Sequence, residues 1–185
     1  MPAYPDTTKP TIGEVYLLDA AAKRLDTLAT GPLDLVVSAH DRDDSSQRNL
    51  EIASVAFSAK DQAGRELLRL PRCRLSDAFK LLAEDWSLET STIRLIDFGN
   101  AMGQLSGFWP SSDVGDPDRL FRYAVTNLRI DQGQCTIVAS DRDGQLEIGP
   151  EVTELTVFVQ LWDSRGNRTT KLIFAVCEVE DISVG

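Results

Sequence analysis

One phrase is written twice in this chain, about a hundred residues apart, and that echo constrains the architecture more than any other feature. The first copy, from Val37, reads VSAHDRDDSSQRNLEIASVAFSAKDQAGREL; the second, from Val138, reads VASDRDGQLEIGPEVTELTVFVQLWDSRGNRTTKL. Asp41 and Asp43 recur as Asp141 and Asp143, and further on Val55, Phe57, Asp61 and Gly64 recur as Val157, Val159, Asp163 and Gly166. The second block is displaced by two residues more than the first, so only a loop between them has changed length. A period of roughly 100 residues is the size of one small domain, and 185 residues hold two small units of that kind or one larger one.

The apolar rhythm inside each copy is that of strands. In VAFSAKD, Val55, Phe57 and Ala59 alternate with Ala56, Ser58 and Lys60, which places the two sets on opposite faces of a sheet. DQAG then predicts a turn, with Gly64 supplying a positive φ, and RELLRL returns. In the second copy both faces of VFVQLW are largely apolar, so this strand is expected to be covered on both sides or to form part of a partner surface. TKLIFAVCEVEDI reads as a long closing strand. PLDLVVSA is a β-branched strand, and EVYLLDAAAKRLDTL gives two short apolar runs around a polar centre.

Two segments break the pattern. Leu75, Phe79, Leu82, Ala83 and Trp86 fall at helical spacing behind Ser76 and Asp77, predicting one short helix with Trp86 in its apolar stripe. A hairpin is expected in STIRLIDFGNAMGQLSGF. WPSSDVGDPD, 109–118, is a long insertion with Pro110, Gly115 and Pro117 among serines and aspartates, and loops of that kind either connect halves through solvent or carry binding residues. The expected organisation is an extended arm over 1–11, a first β-sandwich repeat with its terminal helix over 12–90, and a second over 91–185 carrying the 109–118 loop.

Net charge narrows the choice of partner. Nineteen basic against 29 acidic residues leave a formal charge of −10, the wrong sign for nucleic acid or an anionic membrane. No apolar run approaches the ~18 residues of a membrane span. The opening MPAYPDTTKP has no basic and apolar leader pattern, and Cys73, Cys135 and Cys177 are odd in number without a CxxC spacing. Neither a disulfide framework nor a zinc site is therefore expected, and a cytoplasmic, reducing location is the simplest reading.

Few residues carry chemistry. Asp41, Asp43, Asp44, Asp141 and Asp143 put carboxylates in loops after strands, a donor type suited to calcium, which takes about six to eight oxygen ligands. The competing role for such aspartates is capping their own loop backbone. Asp61 and Asp163, a strand of about seven residues further on, are expected to lie about 20 Å away and outside any such site. His40 is the one histidine and its counterpart is Ser140, which leaves a nucleophilic triad without support. Phe108, Trp109, Asp113 and Trp162 are the candidates for binding, tryptophan being enriched at interfaces. Asn167 opens an NRT sequon expected to be fortuitous.

A strand, a DxD loop, an alternating strand ending in DxxG and a return strand together resemble the repeated β-sandwich modules of bacterial immunoglobulin-like and cadherin-like proteins. The resemblance covers roughly 35 residues in each half. It implies an all-β fold in which acidic loops sometimes bind calcium at domain junctions. The expected fold is therefore all-β, a duplicated immunoglobulin-like β-sandwich with one short helix. The expected function is a non-enzymatic binding or assembly module, engaging a protein partner or another copy of itself through edge strands and the 109–118 loop. No cofactor is expected, calcium being the one ion that the acidic loops would suit. The alternatives are a calcium-dependent adhesion or carbohydrate-binding module and a hydrolase using paired carboxylates.

Overall fold

The computed structural model describes residues 6–21, 23–42, 52–75, 121–137 and 146–177. Its elements are strands: β1 (Thr11–Leu18), β2 (Arg24–Leu25), β3 (Gly31–His40), β4 (Ser54–Asp61), β5 (Glu66–Arg74), β6 (Phe121–Ala124), β7 (Leu128–Asp131), β8 (Gln134–Ile137), β9 (Leu146–Ile148), β10 (Glu154–Trp162) and β11 (Arg168–Val176). A 3-10 turn over Val125–Asn127 joins β6 to β7. The described residues form an all-β arrangement, as the alternating runs predict. The segments expected to form the helix to Trp86, the following hairpin and the 109–118 loop lie outside the described residues.

One sheet has the order β2-β1-β3-β6, with β9 also paired to β3, and a second has the order β11-β10-β4-β5; β7 and β8 form a separate hairpin. The inward faces of both sheets share one apolar core, in which Leu33, Leu35 and Val37 of β3 join Val55 and Phe57 of β4 and Val157 and Val159 of β10. Even-numbered residues of β10 point the other way, because strand side chains alternate.

The repeated blocks meet directly. β4 and β10 are antiparallel neighbours, and Phe57 stands opposite Val159, its own counterpart in the repeat. Each block ends in the same turn. Asp61 Oδ1 accepts the N–H groups of Ala63 and Arg65, while Asp163 Oδ1 accepts those of Arg165 and Asn167. Gly64 at φ +78° and Gly166 at φ +94° supply the left-handed residue that closes each hairpin. Asp19 caps a third turn of this pattern, accepting from Ala21 and Lys23.

The cysteines require a correction. Cys73 of β5 and Cys135 of β8 are joined in a disulfide with their Cα atoms 5.0 Å apart, both buried in the core, and Cys177 is the free one. Pairing depends on neighbours in space, and the two cysteines are 62 residues apart in sequence, so spacing motifs carry no trace of it.

Candidate functional site

Three regions gather groups able to act. The first is acidic. Oxygen atoms of Asp6, Asp41 and Asp163 lie within 4.8 Å of one another, and Asp41 and Asp163 are buried. These residues come from the approach to β1, the end of β3 and the β10–β11 turn. Asp163 therefore does join Asp41, against the expected 20 Å separation: that expectation counted residues along a strand within one copy, whereas antiparallel pairing brings the far end of β10 beside the start of β4. Asp163 Oδ2 also accepts from Asn167 Nδ2 at 2.6 Å, and the same amide nitrogen donates to the Asp6 carbonyl at 3.1 Å. The sequon asparagine thus ties the N-terminal stretch to the turn. Asp43, Asp44, Asp141 and Asp143 lie outside the described residues, as do Phe108, Trp109 and Asp113. His40, half-buried, ends β3 opposite Thr11.

The second region is the outer edge of β11. Leu172, Phe174 and Val176 are 50%, 73% and 55% exposed, and Phe158, opposite Leu172 on β10, is 39% exposed. The Val176 carbonyl accepts Leu28 N–H on the side away from β10. Peptide groups alternate in direction along a strand, so those of Thr170, Leu172 and Phe174 face the same way. At the other end of β11, Lys171 Nζ reaches the Gly13 carbonyl at 2.6 Å. Between β11 and the β1–β2 hairpin opens a cleft of about 480 Å³, whose lining includes Val15, Leu17, Leu25, Val157 and Ile173.

The third region is the outward face over β4, where Trp162, the one described member of the expected binding set, has the Arg72 guanidinium over its ring at 4.6 Å. Elsewhere two arginines are held in surface ion pairs. Arg65 bridges Asp61 at 2.9 Å and Glu151 at 3.1 Å, and Arg24 pairs with Glu14 at 3.2 Å. Burial pushes the Asp61 carboxyl upward, but the backbone N–H groups of Arg65 and Ala63 and then the Arg65 guanidinium hold it below its ordinary value. The Glu151 carboxyl is lowered too, by its own backbone N–H and by Arg65. The Arg65 guanidinium is raised by Glu151 and Asp61.

Sequence reasoning pointed to the closing strand and to Trp162, but it missed Asp6, the Asp41–Asp163 meeting and the Arg72 contact. Each of these depends on which strands become neighbours. Among the described residues no helix is long and apolar enough to cross a membrane. Comparison with family models, with curated proteins and with solved structures finds no match.

Proposed function

We propose that the protein is a non-enzymatic assembly module that joins another chain, foremost a second copy of itself, by adding a strand to β11. The observation that carries this reading is Phe174, an aromatic side chain 73% exposed on an edge strand with apolar neighbours. Edge strands left flat, regular and apolar pair with other strands, and natural sheets guard against it with charges, prolines and bulges. β11 runs nine residues against β10 without a break in register. Its turned-out peptide groups supply hydrogen bonds, and Leu172, Phe174 and Val176 supply apolar area to be covered. Two copies meeting along β11 about a two-fold axis would bury the same patch on both sides.

Light scattering over a dilution series tests this. A mass that rises with concentration, and a Phe174→Lys variant that stays monomeric with an unchanged melting temperature, are expected. A wild-type protein that remains monomeric throughout would refute self-assembly.

The pairing of Phe57 with its counterpart Val159, and the matched Asp61 and Asp163 turns, support a duplicated immunoglobulin-like sandwich whose two hairpins share one sheet. The buried Cys73–Cys135 bond supports maturation in an oxidising compartment in place of the reducing one expected from cysteine spacing.

A second reading rests on Asp6, Asp41 and Asp163. Three carboxylates this close repel one another, and a hard cation such as calcium relieves that repulsion while accepting oxygen donors at variable geometry. Asp163 can serve its turn and a cation together, since each carboxylate oxygen has two lone pairs. Calcium should raise the melting temperature by mass action, and Asp41→Asn should abolish the rise. An identical melting curve with and without calcium would dismiss it.

A further inference from the structure

The outward face of the four-stranded sheet is shaped by the sizes of its side chains. In the middle of β4 the outward residues Ala56 and Ser58 are small, with Lys60 at the end of the row, whereas β10 on one side carries Phe158 and Trp162 and β5 on the other carries Arg69 and Arg72. Small residues between two tall rows leave a trough of about 520 Å³ along the strand. A break in register opposite Ala56 makes both Pro71 and Arg72 face one residue, a β-bulge, and both are exposed. This re-aims Arg72 toward Trp162, over whose ring its guanidinium lies at 4.6 Å. A guanidinium in a cation–π contact still has N–H groups to offer, and its planar fork matches a carboxylate through two hydrogen bonds.

The charge of this face runs against that of the molecule. The whole chain carries −10, yet the trough is lined by Lys60, Arg69 and Arg72 against one acid, Glu66. Most described cations outside the Arg24 and Arg65 pairs lack an acidic partner, so what distinguishes this face is the gathering of Lys60, Arg69 and Arg72 with a single acid on one concave surface of an acidic chain. Such a gathering offers a place for negative charge from outside. Neighbouring strands are about 4.8 Å apart, so the walls stand about 10 Å from each other, the width that admits a single extended chain.

We infer that this trough is a docking site for an acidic, extended segment of a partner protein, its carboxylates held by Arg69, Arg72 and Lys60 and its apolar side chains resting on Phe158. A protein segment fits better than a nucleic acid, because a net charge of −10 repels a polyphosphate at long range while a few local carboxylates gain from the paired walls. The trough shares Phe158 with the apolar patch beside β11, but its cations stand on β4 and β5, away from the β11 edge, so each proposal can fail alone.

The test is a titration of the full-length 15N-labelled protein followed by NMR. The probes are an eight-residue peptide alternating glutamate and valine, the same peptide with glutamine for glutamate, and octathymidylate. The glutamate peptide should shift the Trp162 indole signal and the Arg69 and Arg72 side-chain Nε signals saturably. Its affinity should fall at least tenfold on raising the salt from low to physiological strength and above. An Arg69→Gln, Lys60→Gln double variant, changed only at exposed positions, should weaken it at least fivefold while a Phe174→Lys variant leaves it unchanged. No shift with the glutamate peptide, equal shifts with the glutamine peptide, tighter binding of octathymidylate, or indifference to the double variant would each overturn the assignment.

Discussion

Asp61 is a buried carboxylate that burial alone would drive toward the neutral acid, yet its turn holds it charged. The N–H groups of Ala63 and Arg65 point at one oxygen and the Arg65 guanidinium at the other. Because its carboxyl is lowered in the folded protein, its contribution to stability is complete above the ordinary carboxylate range, about 3.9 for aspartate, and is lost as pH falls through the lower folded value. Glu151, also lowered, works in the same direction. Stability measured by denaturant unfolding should therefore be level above about pH 5 and fall on acidification below about pH 4. Asp61→Asn keeps an acceptor for the two backbone donors but no longer titrates, so its acid limb should be shallower; an acid limb identical to wild type would show that the charge on Asp61 contributes nothing.

At the scale of elements, the two edges of the four-stranded sheet contrast. β5 carries Pro71, exposed arginines and two breaks in register, all devices that deter a neighbouring strand. β11 has neither a proline nor a break in register over nine residues, and its two cations, Arg168 and Lys171, stand in the half that precedes the apolar patch. β5 is further tied to β8 through Cys73 and Cys135. Closing a loop of 62 residues in the unfolded chain stabilises by about 4 kcal/mol in the chain-entropy account. Replacing both cysteines with alanine should therefore lower the unfolding free energy by several kcal/mol, and a change under about 0.5 kcal/mol would contradict that role. The strands and turns were legible in the sequence because their signals are local: alternation in VAFSAKD and VFVQLW, and an aspartate three residues before Gly64 and Gly166. The disulfide and the Asp6–Asp41–Asp163 cluster were not, since both follow from the pairing of distant strands, and a register such as Phe57 against Val159 leaves no mark on composition. The β1–β2 turn was harder to recognise than its two relatives, because Ala22 stands where they carry glycine.

On the scale of the whole molecule, the described part of an acidic chain presents a basic trough over β4 and an apolar edge at β11, adjoining parts of a single sheet. The net charge keeps copies apart at long range, so association must come from short-range pairing and apolar contact. Strand addition makes a specific demand on the backbone: the N–H groups of Thr170, Leu172 and Phe174, turned away from β10, must acquire partners. Amide hydrogen exchange measured at these three residues, in dilute and in concentrated protein, reads that demand directly. The account predicts that their exchange slows markedly on concentration while Thr169, Lys171 and Ile173, already facing β10, change little. Equal exchange at both concentrations, or protection spread evenly over the whole sheet, would contradict assembly through β11.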